Sequence, residues 1–75
     1  MSLNDVKLNA TCVVKSVDVS DEKTKIRLME LGLVEGSIVS VNRKSVLKKT
    51  LLIIFNSTCF TLMDNLAREI MVNYV

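Results

Sequence analysis

The 75-residue chain carries ten basic and eight acidic residues, a formal net charge of +2, and no histidine. A chain this short makes one domain, residues 1–75, whose core must take up nearly all its apolar residues. The balanced charge argues against a concentrated nucleic-acid-binding face, and the missing histidine removes the commonest general base.

The opening residues Met1–Lys7 show no basic stretch followed by an apolar one, so no secretory leader is expected. The longest apolar run, Leu51–Phe55, is far short of the ~20 residues that span a bilayer. A soluble, cytoplasmic protein without membrane insertion is the expectation. Thr11–Val17, rich in β-branched residues, reads as the first strand. Asp18–Asp21 supplies turn and cap residues, with Ser20 or Asp21 as the N-cap. A helix follows over Glu22–Leu31. There Ile26, Met29 and Leu33 recur at helical spacing, and Leu28 and Leu31 widen the apolar stripe. Gly32 falls at the C′ position, where a left-handed residue ends a helix. Glu35-Gly36 reads as the centre of a tight turn, with Gly36 accepting positive φ.

Ser37–Lys44 is the second strand, with Val39, Val41 and Arg43 on one side and Ile38, Ser40 and Asn42 on the other. Ser45–Lys49 connects it to a third strand, Leu51–Phe55, apolar on both faces. Asn56-Ser57 is a hairpin turn leading into Thr58–Met63. Asp64 caps one helical turn over Asn65–Glu69, and Met71–Tyr74 is the last strand. This order predicts a mainly β fold, a small antiparallel barrel of about five strands, closed or nearly so. One face of Leu51–Phe55 would point inward and the other would pack beneath the helix.

Little of this can do chemistry. Cys12 and Cys59 have no imidazole to activate them and read as buried thiols in a reducing compartment. Asp18, Asp21 and Glu22 surround a helix start, where capping explains them. Two isolated glycines cannot form a phosphate-binding loop, so no cofactor is expected. Two features remain. Arg43, Lys44, Lys48 and Lys49 crowd one hairpin, either as a solvated edge-protecting cluster or as a docking patch for an acidic partner. Met29, Leu33, Val34, Val46, Leu47, Met63 and Met71 exceed what a small core needs. Most would fill core gaps, and the remainder would form a contact patch. A chain this apolar could also pair weakly with a second copy through a strand edge.

The segment Arg27-Leu28-Met29-Glu30-Leu31-Gly32-Leu33-Val34-Glu35-Gly36-Ser37-Ile38-Val39 resembles the central motif of the FeoA family, R-L-x-E-L-G-L-x-P-G-x-x-V. Phe60-Thr61-Leu62 followed by Ala67, Ile70 and Val72 is similar to that family's closing pattern. Glu35 stands where the family has Pro, and the 44–50 hairpin lacks the family's Pro and Gly. The resemblance makes Leu31, Gly32, Leu33 and Gly36 the structural motif. It implies an SH3-like barrel and a non-enzymatic accessory of ferrous iron transport, working beside the cytoplasmic G domain of the FeoB membrane transporter. Arg43, Lys44, Lys48, Lys49, Met29 and Leu33 are then the expected contact residues. The resemblance also raises an alternative, a transition-metal-binding or metal-sensing domain related to the C-terminal domain of iron-dependent repressors. Such a site would draw on Asp18, Asp21 and Glu22, joined by Cys12.

Overall fold

The computed structural model describes residues 1–75. In chain order the elements are β1 (Cys12–Val17), α1 (Glu22–Glu30), β2 (Ile38–Ser45), β3 (Thr50–Phe55), β4 (Thr58–Met63), α2 (Asp64–Ala67) and β5 (Ile70–Tyr74). A 3-10 turn, Leu3–Asp5, precedes them. The strands form one antiparallel sheet in the order β4-β3-β2-β1-β5, as expected of a small barrel.

The connections obey local chemistry. Gly32 has φ +98°. Its N–H donates to the Met29 carbonyl, and the Leu33 N–H reaches back to the Leu28 carbonyl at 2.9 Å. That pair of bonds is a Schellman motif, and its usual apolar contact is supplied by Leu28 and Leu33, both buried. The Ser37 N–H then donates to the Val34 carbonyl at 3.0 Å. This closes a turn in which Gly36 takes φ +91° at its second central position. Asn56 and Ser57 both have positive φ, 52° and 60°, the type I′ geometry that matches strand twist in a two-residue hairpin.

Two irregularities bend the sheet. Pairing shifts between Val14 and Ser16 on β1, and between Val41 and Arg43 on β2. Such bulges increase local twist and reset which face later side chains occupy. Val39 and Val41 point into the core, but past the bulge Arg43 pairs with Leu52 and is exposed. Arg43 therefore does not share the side of Val39 and Val41, as simple alternation predicts.

The core is aliphatic, built around Val14, Leu28, Leu33, Val39, Val41, Leu51, Ile53, Phe55, Leu62, Ile70 and Val72. Phe55 and Phe60 meet edge to face, ring centroids 6.4 Å apart. Two expectations are corrected here. Leu52 and Ile54 face outward from β3, where Leu52 lines an open cleft with Arg43 and Thr61 instead of lying beneath a helix. On α1 only Leu28 is buried, while Ile26, Met29 and the C-cap residue Leu31 are exposed, because the helix covers only a corner of the barrel. The N-terminal residues are part of the fold: Leu3 and Val6 are buried, and the Val72 N–H donates to the Met1 carbonyl at 2.8 Å.

The two cysteines also part company. Cys12 is fully buried, and desolvation pushes its thiol above the ordinary value, whereas Cys59 is exposed on β4. A thiol reagent acts through the thiolate and needs access. Titration with Ellman's reagent at neutral pH should therefore modify one thiol in the native protein and two in denaturant. Two rapid equivalents from native protein would contradict the burial of Cys12.

Candidate functional site

The six expected contact residues fall into two places. Met29 borders a shallow cleft between α1 and the end of β1, together with Val17, Lys25, Val34 and Glu35. Met29 and Val34 are exposed, giving an apolar rim among charged neighbours. Leu33 lies at the base of this cleft but is fully buried, so it acts through packing and offers a partner no surface. The other four residues surround the β2–β3 hairpin at the opposite end of β2. Arg43 and Lys48 line an open cleft floored by Leu52 and edged by the hydroxyls of Ser45, Thr50 and Thr61. Lys44 and Lys49 lie along the hairpin's other side, near Asp64. The Lys44 ammonium donates to the Asn4 carbonyl, which holds that side chain against the N-terminal turn.

At the hairpin tip, Val46 and Leu47 are 88% and 97% exposed. The turn spans Val46–Lys49, closed by the Lys48 N–H donating to Ser45 Oγ and by Lys49 at φ +53°. Sequence reasoning missed the hydroxyls beside Arg43, because the bulge that brings that residue to their face leaves no mark in the residue pattern.

The carboxylates near α1 are occupied locally. Thr24 Oγ1 donates to Asp21 Oδ2, Ser16 Oγ donates to Asp18 Oδ2, and Ser20 Oγ donates to Glu69 Oε1. No three His, Cys, Asp or Glu side chains come together to hold a metal ion. The proposed grouping of Asp18, Asp21, Glu22 and Cys12 therefore does not form. The Cys12 thiol donates to the Ala10 carbonyl at 3.8 Å and otherwise sits in the aliphatic core. No helix is long and apolar enough to cross a membrane.

Five antiparallel strands in one sheet with two small helices define the class as a small SH3-like barrel domain. The FeoA domain family model matches residues 1–74, and the chain belongs to that family. The FeoA protein of Chlorobium tepidum, solved in solution, is 31% identical with a TM-score of 0.92, the match covering 100% of this chain and 70% of that one. Stenotrophomonas maltophilia FeoA, crystallised with zinc and described as a prokaryotic SH3 domain protein, is 30% identical with a TM-score of 0.83. That match covers 97% of this chain and 89% of that one. A manganese-dependent transcriptional repressor shares the fold, with a TM-score of 0.89 at 16% identity, over 100% of this chain and 36% of its own. No curated protein matches the sequence. Family membership carries an accessory role in ferrous iron transport.

Proposed function

We propose that this protein acts beside a FeoB-type transporter by binding its cytoplasmic G domain through the cleft between α1 and β1. The observation that carries the reading is the exposed pair Met29 and Val34, rimmed by Lys25 and Glu35. Apolar residues exposed within a polar rim are the usual make-up of a protein contact surface. Methionine suits such a surface because its unbranched side chain adapts to the partner's shape. The neighbouring backbone is held rigidly by the Gly32 cap and the Val34–Ser37 turn, so little ordering entropy opposes docking.

Amide-resolved NMR titration with the isolated G domain tests this. Shifts should concentrate in residues 16–18 and 25–35. The double substitution Met29→Glu with Val34→Glu should weaken binding at least tenfold, about 1.4 kcal/mol or more. Both positions are exposed, so the thermal midpoint should stay within a few degrees. Unchanged affinity in the double variant, or an unperturbed spectrum at high micromolar G domain, would sink the reading.

A further inference from the structure

The β2–β3 hairpin has a different character from the helix-side cleft. Its tip presents two aliphatic side chains almost entirely to solvent, Val46 at 88% and Leu47 at 97%. All other exposed large apolar residues are at most 80% exposed, and most are near half. The tip is also the centre of a strong charge asymmetry. Residues 36–63 contain Arg43, Lys44, Lys48 and Lys49 and no carboxylate, whereas all eight acidic residues lie outside that segment. Among these, only Asp64 lines a cleft with hairpin cations, beside Lys44 and Lys49.

We propose that this hairpin seats the protein on an anionic phospholipid surface. Val46 and Leu47 enter the headgroup boundary end on, and Arg43, Lys48 and Lys49 pair with lipid phosphates around them, while Lys44 stays on the Asn4 carbonyl. Apolar insertion and a basic collar are the two signals that together give stable but reversible membrane attachment, where either alone is marginal. The Arg43–Lys48 cleft adds the hydroxyls of Ser45, Thr50 and Thr61, which can donate to phosphate oxygens. A protein partner fits this surface less well. A narrow tip with two aliphatics and no aromatic offers little area and no anchor for a partner pocket. A lipid surface needs neither shape complementarity nor a pocket. The proposal does not depend on the helix-side cleft, which lies at the other end of β2 and shares no lining residue with the hairpin clefts.

The chain has no tryptophan, so Leu47→Trp places a single fluorophore at the tip. With the full chain and vesicles of phosphatidylcholine containing phosphatidylglycerol, its emission should shift to the blue and be quenched by bromine-labelled acyl chains. Vesicles of phosphatidylcholine alone should leave it unchanged. In co-sedimentation of the tryptophan-free protein, Lys48→Ala with Lys49→Ala should weaken binding roughly 30-fold, about fivefold for each cation. Leu47→Asp should weaken it by about tenfold or more through lost burial, and raising salt should weaken it further. All these positions are exposed, so an unchanged amide spectrum verifies folding. Absence of binding to anionic vesicles would overturn the proposal. So would binding unaffected by Leu47→Asp, which would mean adsorption by charge alone. A blue shift produced by the transporter G domain and not by vesicles would assign the tip to a protein instead.

Discussion

Leu3→Ala should lower the unfolding free energy by about 3 kcal/mol, within the 2–5 kcal/mol range of buried leucine truncations. Leu3 is fully buried in a turn that packs on α2 and β5, and the surrounding backbone is tied down by the Val72 to Met1 hydrogen bond. With little room to collapse, the site would keep most of the cavity. A domain of this size holds about 5–10 kcal/mol, so this one truncation would remove roughly 30–60% of the margin. Urea denaturation gives the measurement, with Leu8→Ala as the control, since Leu8 is half exposed. The control should fall within about 0.5 kcal/mol of the parent. A loss below 1 kcal/mol for Leu3→Ala would mean that the N-terminal turn is not part of the core.

The second large effect separates the two faces of β3. Ile53→Ala should cost about 3–4 kcal/mol, because Ile53 is fully buried at the centre of the aliphatic core. Ile54→Ala should cost about 1 kcal/mol or less. Its side chain lies on the outer face, half-buried between Ser40 on β2 and Cys59 on β4. Equal losses would show that the outer face is covered in solution, by a second copy pairing along the sheet or by some other contact. Paired urea melts at two protein concentrations distinguish these, because only self-association makes the midpoint depend on concentration.

Elements set by local conformational demand were legible in the residues themselves. Gly32 and Gly36 announce positive φ at a helix end and a turn, and Asn56-Ser57 announces a two-residue hairpin; each takes that conformation. What depends on distant neighbours was not legible. Leu3 and Val6 stand among polar residues in the sequence, and what they pack against, α2 and β5, lies about sixty residues further on. The helical spacing of Ile26 and Met29 predicts burial, but the barrel beneath α1 is too small to cover more than Leu28. A hydrophobic period shows that a face exists, not that a neighbour meets it. For the candidate sites, the cluster of hairpin cations was visible as a count. The assignment of Arg43 to the outer face depended on a bulge at Asn42, whose side chain amide donates to Asn9 Oδ1 from an otherwise unrelated segment.

The pairing of β1 with β5 constrains how the molecule is made. One edge of β1 is satisfied by β2, but the other waits for Ile70–Tyr74. At about 5–20 residues per second, a ribosome needs roughly three to eleven seconds to travel from Val17 to Tyr74. Throughout that interval β1 keeps an unpaired edge and the Val14 side of the core lacks Val72. Long-range closure of this kind slows folding relative to helical proteins of equal size. The nascent barrel is therefore most open to mispairing with another strand just before synthesis reaches its last strand.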